Sequence, residues 1–325
     1  MQYNDFVDFL KRNVKSVSIT TKRVFCAIAL VAAAFFWGTT FVAQSDAADV
    51  IGPFTFNGIR SIIGSVALLP LALAIGRAPK NEQGVATPFK KQLLYGSVCG
   101  LCLFLATNLQ QIGIAYTTAG KSGFVTALYV VLVPVFGLFF LKKKIGWNIW
   151  IAVLLSAVGL YLLCVTEGFT IQKGDTITFF CAIVFAWHIL AVDSFSDRIA
   201  GVTLSCIQFF VSGVLSLICM FIFEDPRWSQ IIAAAFPLLY AGILSCGVAY
   251  TLQIVGQKHT DPTIASILMS LESVFAVLAG WAVRGEILNS KETIGCIVMF
   301  GAIVLSQLPL AQWLKIRKEK RSLIQ

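Results

Sequence analysis

Two ionisable residues, Arg60 and Glu272, lie well inside long apolar stretches of the sequence. Charged side chains are costly in such surroundings, and those that occur there usually bind or transfer something. The planar guanidinium of Arg60 can hold an anionic group such as a carboxylate. The carboxylate of Glu272 can bind an amine or carry a coupling proton. The alternative for both is structural, in which they pair with each other or with neighbouring Ser and Asn side chains.

Helical spacing places both charges on small or polar faces. At about 100° per residue, Arg60 shares its face with Asn57 and Gly64. Glu272 is flanked by small residues and by a strip of serines. The opposite side of its segment is apolar and is predicted to face lipid, so that Glu272 points into the helix bundle. That apolar side comprises Ile264, Ile267, Leu271, Val274, Phe275 and Leu278.

Other polar and aromatic side chains are candidates for lining a binding cavity near these charges. Trp37 and Trp187 stand at matching places in two similar stretches of sequence, and we expect them to frame the pocket. For each polar group the alternative is a hydrogen bond that holds two helices together. The predicted substrate-binding residues are Arg60, Glu272, Trp37, Trp187, Asn57, Gln110, Gln253 and Tyr250. The wider set of candidates adds Thr39, Thr40, Gln44, Asn108, Gln111 and Gln257.

His188 and Asp193 have the H-x4-D spacing of some acyltransferases. On a continuous helix they would lie about 140° apart, too far round for a cooperating pair. His188 is therefore predicted to be a histidine of the helix bundle, of the kind that can respond to protons. The sequence has no phosphate-binding glycine loop and no cluster with the spacing of metal ligands. No catalytic residue, metal or cofactor is expected.

The composition indicates what surrounds these residues. Among 325 residues, 58% are hydrophobic and only 13% are charged, and 26 are Phe. A water-soluble chain of this length could not hide so much apolar surface. This excludes a soluble enzyme, a secreted disulfide scaffold and a disordered chain. The sequence predicts an all-α polytopic membrane protein that contacts the lipid bilayer on most of its surface.

Ten apolar segments approach the roughly 20 residues that a helix needs to cross a bilayer. Short connections separate them, and no soluble domain is inserted. The predicted spans are 24–44, 54–75, 93–114, 118–141, 147–165, 174–195, 202–223, 232–254, 261–284 and 291–312.

Lysine and arginine are distributed unequally between the two ends of these segments. With the N-terminus in the cytoplasm, 19 of the 25 lie on the cytoplasmic side, five lie outside, and Arg60 remains within a span. Such an excess is the positive-inside signal of membrane topology. Both the N-terminal segment 1–23 and the basic tail 313–325 are therefore predicted to be cytoplasmic. The net charge of +9 is assigned to topology, and no nucleic-acid partner is expected.

Two pairs of similar stretches indicate an internal repeat. AFFWGTTFV at 34–42 matches VFAWHILAV at 184–192, and LQQIG at 109–113 matches LQIVG at 252–256. The offsets place five segments in each half, at 24–165 and 174–312. An odd number of helices per half inserts the second half upside down. Inverted repeats of this kind are typical of secondary transporters, which bind substrate near the midplane between the halves.

Several of these stretches resemble the EamA-type family of the drug/metabolite transporter superfamily. The family's fourth-helix signature is similar to YTTAGKSGFVTALYVVLVPVFGLFF at 116–140, and its ninth-helix signature to LMSLESVFAVLAGWAVRGE at 268–286. Trp37 and Arg60 fit its first and second helices. Ser273 departs from the family's frequent proline, and Lys142–Lys144 replace a frequent Gly–Glu pair. The resemblance implies a ten-helix carrier of a bacterial inner membrane, often an exporter of amino acids or related compounds.

The residues and the resemblance together predict a secondary transporter of small metabolites, with a small-molecule substrate and a possible coupling proton. One alternative is an integral-membrane enzyme that acts on lipid-linked substrates, which would need clustered His, Asp, Glu or Ser at one membrane face. The chain has only two His. The other alternative is a channel, although two pseudo-symmetric halves favour a rocking carrier.

The charge distribution predicts the topology. A C-terminal fusion to alkaline phosphatase should be inactive, because that enzyme requires export, and a C-terminal fluorescent-protein fusion should be bright. The opposite pair of results would overturn both the cytoplasmic termini and the inverted-repeat hypothesis.

Overall fold

A computed structural model describes residues 3–77, 86–116, 119–143, 145–164, 173–285 and 289–308, with side chains described from Thr21 onward. Every element in this part of the chain is helical, as the composition predicts. The helices are α1 Tyr3–Ala48, α2 Pro53–Ile75, α3 Phe89–Ile114, α4 Ala119–Ala127, α5 Tyr129–Leu141, α6 Trp147–Cys164, α7 Lys173–Phe195, α8 Gly201–Phe223, α9 Trp228–Ala233, α10 Ala235–Tyr240, α11 Tyr250–Gln257, α12 Pro262–Met269, α13 Glu272–Arg284 and α14 Ser290–Gln307, with a π-helix at Ala241–Ala249.

Eight spans of the described chain are long and apolar enough to cross a bilayer. Five of them lie within α1, α2, α3, α7 and α8, and each of the other three joins consecutive helical pieces. The predicted fifth and tenth segments form α6 and α14, which are helical but fall outside this set. The α6 span is shorter, at Trp147–Leu162, and α14 carries Lys291 and Glu292 in its first turn. The predicted tail 313–325 lies outside the described residues.

The distribution of side chains is the reverse of that in a water-soluble protein. Leu73 and Phe221 are 80% and 78% exposed, whereas Asn57 and Gln208 are completely buried. Lipid solvates apolar side chains and cannot hydrogen-bond polar ones. The arrangement is therefore that of a multi-pass membrane protein whose polar groups turn toward the bundle interior.

Helices α2 and α8 are fastened to each other at both ends. At one end, the Glu224 carboxylate that follows α8 accepts hydrogen bonds from the backbone N–H groups of Phe54 and Thr55, each 2.8 Å. This satisfies the free donors at the start of α2. At the other end, the Thr203 hydroxyl donates to the Gly76 carbonyl, 2.9 Å. These bonds hold α2, the helix that carries Arg60, against α8 along its length.

Two of the spans are interrupted near their middle, at equivalent positions of the two similar halves of the sequence. Leu128 separates α4 from α5, and Ser270 and Leu271 separate α12 from α13. Neither break contains Pro or Gly. Instead the backbone N–H groups of Leu128 and Leu271 bond three residues back, at 3.3 Å in both cases, which tightens the turn. The Ser270 hydroxyl also donates to the Ile267 carbonyl, 2.7 Å, and so competes with the helical pattern.

Candidate functional site

An internal cavity lies at these interruptions, between helices of both halves of the chain. Helices α1, α2, α3, α4 and α5 supply part of its lining, and α7, the π-helix, α11, α12 and α13 supply the rest. The lining residues are Trp37, Thr40, Phe41, Gln44, Arg60, Thr107, Gln110, Thr126, Tyr129, Phe185, His188, Ile189, Ser245, Tyr250, Gln253, Met269 and Glu272.

Glu272 is the first residue of α13, directly after the break, and Tyr129 is the first residue of α5. The Tyr129 hydroxyl donates a hydrogen bond to Glu272 Oε1, 3.1 Å, and both side chains line the cavity. Gly38 of α1 lies against the Glu272 carbonyl and the Phe275 side chain, where a Cβ atom would collide. The absence of a side chain at residue 38 therefore lets α1 approach the break closely and seat Glu272 in the cavity.

Arg60 of α2 also lines the cavity and is nearly buried, at 6% exposure. Its guanidinium lies 4.9 Å from the centre of the Phe56 ring, a cation–π contact. The Arg60 Nε atom has no hydrogen-bond partner, and no carboxylate of the described residues lies within ion-pair distance of this side chain. Arg60 and Glu272 thus share one cavity without pairing.

Aromatic rings and amides make up much of the remaining cavity lining. The Trp37 and Tyr250 rings meet edge to face with centroids 4.7 Å apart, and the Trp37 Nε1 atom has no partner among the described residues. Gln253 is buried with its Oε1 atom also unpartnered. Gln110 Nε2 makes a long hydrogen bond, 3.4 Å, to the Thr126 hydroxyl. Several polar atoms in the lining are therefore available to a ligand.

Six of the eight predicted binding residues line the cavity, and Asn57 and Trp187 do not. Asn57 is buried beside it, where its Nδ2 atom donates to the Thr107 carbonyl and to Asn108 Oδ1, each 3.1 Å. It joins α2 to α3, so the interhelical alternative applies. Trp187 is 38% exposed and stacks on Phe136 at 5.1 Å. The structure thus does not bring Trp187 together with Trp37 in the cavity lining.

The prediction that the apolar side of the Glu272 segment faces lipid is wrong. Ile267, Leu271 and Val274 are buried in the main hydrophobic cluster of the protein, although Leu278 is exposed. The span Pro262–Val283 is the most buried of the eight, because α1, α5, α6 and α14 pack around it. A helical wheel assumes an unbroken helix at the lipid boundary, and this helix is neither unbroken nor peripheral.

The residues predicted to bind substrate do not include Tyr129, Thr126, Thr107 and Met269. One pattern in the sequence nevertheless points to them. The offset of 143 residues between the two LQ motifs relates four pairs of cavity residues. These pairs are Thr107 and Tyr250, Gln110 and Gln253, Thr126 and Met269, and Tyr129 and Glu272. Applying the offset to Glu272 leads directly to Tyr129.

His188 and Asp193 have separate partners, as their angular separation predicts. His188 Nε2 lies 3.2 Å from Gln208 Oε1, whereas Asp193 forms an ion pair with Lys143, 2.7 Å. The described residues contain no group of three or more His, Cys, Asp or Glu side chains placed to hold a metal ion. What the cavity offers is a set of hydrogen-bonding and charged groups for a small organic molecule.

A bundle of apolar helices around a polar internal cavity is the architecture of a membrane transporter. The sequence pattern of the EamA-like transporter family matches residues 24–165 and again residues 172–308. This chain therefore belongs to that family, which confirms the resemblance, and it is a transporter rather than an enzyme.

Several proteins are similar to this chain over most of its length. A protein of Archaeoglobus fulgidus named an uncharacterized transporter is 29% identical over 95% of this chain and 96% of its own. YwfM of Bacillus subtilis, also named an uncharacterized transporter, is 28% identical over 86% of this chain and 93% of its own. The WAT1-related protein At3g02690 of Arabidopsis thaliana is 25% identical over 86% of this chain and 69% of its own.

The fold is similar to that of a protein of known crystal structure, with a TM-score of 0.72. The superposition covers 89% of this chain and 98% of the chain in the crystal structure, at 19% sequence identity. At this identity the likeness concerns the fold alone.

The hydrogen bond between Tyr129 and Glu272 predicts a difference between two tyrosines of the cavity. Tyr129→Phe should lower the apparent melting temperature of the purified protein in detergent, since it removes a hydrogen bond to a buried carboxyl group, worth about 1 kcal/mol or more. Tyr250→Phe is the matched control, because the Tyr250 hydroxyl makes no hydrogen bond with the described residues. Equal melting temperatures for the two variants would contradict the importance of this contact.

Proposed function

We propose that this protein is a secondary transporter that exports amino acids or related small zwitterionic metabolites across a bacterial inner membrane by alternating access. Arg60 binds the anionic end of the substrate, and Glu272 binds its cationic end or carries a coupling proton. Trp37, Gln110, Tyr250 and Gln253 contact the remainder of the molecule.

The observation that carries this proposal is the pair of opposite charges that line one cavity without neutralising each other. A buried charge without a partner costs several kcal/mol, about 3–5 kcal/mol when a partner is removed. The Phe56 ring compensates only a part of this for Arg60, about 2 kcal/mol in a desolvated setting. A ligand that carries both signs would compensate both residues at once, which favours a zwitterion over a simple anion or cation.

The four pairs of cavity residues at an offset of 143 support a site built at the interface of two inverted repeats. The same offset relates the two interruptions at Leu128 and Leu271. It also relates Lys142 to Gly285, which end α5 and α13 with positive φ angles of 52° and 68°. The frequent glycine that Lys142 replaces would adopt this conformation more easily. Residues related by this offset thus interrupt or end a helix in both halves.

The packing of the helices supports the same relation. If the two halves are equivalent, each contact between helices should have a counterpart. The contact of α3 with α7 corresponds to that of α11 with α1, and the contact of α1 with α13 corresponds to that of α7 with α5. All four contacts occur. The contacts of α2 with α8 and of α6 with α14 are extensive, and each maps onto itself. We infer from this relation that α6 and α14 are the fifth and tenth spans. An even number of spans would put both termini on one side, and the excess of Lys and Arg favours the cytoplasmic side.

Arg60 should be essential for transport because of its fork-shaped donor set. Arg60→Lys retains the charge but loses the bidentate geometry, so the uptake of labelled amino acids into proteoliposomes should fall by about tenfold or more. Arg60→Ala should abolish it. The reconstituted amount of each variant is the control. Wild-type uptake by both variants would exclude Arg60 from binding.

Glu272→Gln should separate the two roles of the carboxylate, since it keeps the volume and removes the charge. If Glu272 carries the proton, the variant loses uptake driven by a pH gradient but retains exchange of labelled for unlabelled amino acid at equal pH. If Glu272 binds the substrate amine, exchange fails as well. Trans-stimulated exchange by the wild type is the baseline, because a channel would not give it. A variant with wild-type affinity, exchange and pH dependence would show that Glu272 only packs.

A further inference from the structure

We infer that the cavity distinguishes primary amines from N-methylated ones, and that His188 is a specificity-determining residue for this choice. The inference rests on the proposed binding of a zwitterion. It adds to that proposal the kind of cationic group that the site accepts and a residue that has no role in the proposal so far.

The contact with Gln208 bears on which ring nitrogen of His188 can accept a hydrogen bond from a ligand. His188 Nε2 lies 3.2 Å from Gln208 Oε1. A side-chain amide oxygen can only accept, so Nε2 carries the hydrogen and donates it. In the neutral ring the other nitrogen, Nδ1, then presents a lone pair. His188 is 1% exposed and lines the cavity, and its Nδ1 atom has no partner among the described residues.

Two more acceptors line the cavity from neighbouring helices. Gln253 Oε1 on α11 is buried and unpartnered. Glu272 on α13 accepts one hydrogen bond among the described residues, from Tyr129, which leaves acceptor capacity on its carboxylate. The unpartnered donors of the lining, Trp37 Nε1 and Arg60 Nε, belong to α1 and α2. The lining therefore supplies acceptors from α7, α11 and α13 and unpartnered donors from α1 and α2.

Three acceptors match the three N–H bonds of a primary ammonium group. A secondary ammonium offers two N–H bonds and would leave one buried acceptor unsatisfied, and a quaternary ammonium would leave all three. A site built to hydrogen-bond its ligand rejects analogues that lack the donor, because its own polar group is then buried without a partner. The carboxylate of the same ligand would bind the Arg60 guanidinium.

Isomeric amino acids provide the test. The purified full-length protein is titrated in detergent with alanine, leucine, phenylalanine and glutamate, and with the α-methyl and N-methyl isomers of each, while thermal unfolding reports binding. The α-methyl isomer adds the same bulk next to the nitrogen but retains three N–H bonds. We expect parent and α-methyl forms to stabilise the protein at similar concentrations, and N-methyl forms to need about tenfold more or above.

His188→Gln tests the residue itself. The glutamine side chain can still contact Gln208, but it supplies no acceptor at the place of Nδ1. We expect it to weaken binding of the parent amino acids about tenfold while binding of the N-methyl forms changes little, so that the preference disappears. A purely structural role for His188 would weaken both series equally. The isomer series on the wild type remains decisive if this variant does not fold.

The outcomes separate the two hypotheses. If none of the four parent amino acids stabilises the wild type, the proposed zwitterion site fails and this inference fails with it. If the parents bind and their N-methyl isomers bind equally well, the inference alone is overturned. A preference that persists in His188→Gln would remove His188 from it.

Discussion

The absence of water in the bilayer interior is the constraint on which this structure depends. A polar side chain in such surroundings must be satisfied by the protein, or it must serve a ligand. Most polar groups of the bundle follow the first course, as the Asn108 amide does when its nitrogen donates to the Phe104 carbonyl and to Ser216 Oγ and its oxygen accepts from Asn57. In the cavity lining, Arg60 Nε, Trp37 Nε1 and Gln253 Oε1 lack partners among the described residues, which fits the second course.

The helix interruptions follow from the same constraint. A continuous helix satisfies its own backbone and offers only side chains to a ligand. At Leu128 and at Ser270 and Leu271, short-range turns interrupt the helix and keep the backbone bonded. Each break is followed at once by a cavity residue, Tyr129 in one span and Glu272 in the other. These two interruptions thus lie where a polar lining is needed.

Sequence reasoning predicted the parts of this structure that follow from hydropathy. The apolar segments, the burial of Arg60 and the inward position of Glu272 all depend on transfer free energies that each residue carries with it. The rotation of a helix about its axis does not, because neighbouring helices decide it. Trp187 stacks on Phe136, and Val274 is buried because other helices surround its span. The helix breaks were also beyond reach, since neither contains Pro or Gly.

The two halves share a scaffold but differ in the chemistry placed on it. In the proposed two-fold relation Tyr129 is equivalent to Glu272, and Thr107 is equivalent to Tyr250. A symmetric pair of glutamates would repel each other in the cavity, and a symmetric pair of tyrosines would leave it without a negative charge. With one of each, the hydroxyl of one half supports the carboxylate of the other. Under the proposed function, duplication would supply the geometry of an alternating-access site, and divergence at these positions would give it the polarity that orients a zwitterion between Arg60 and Glu272.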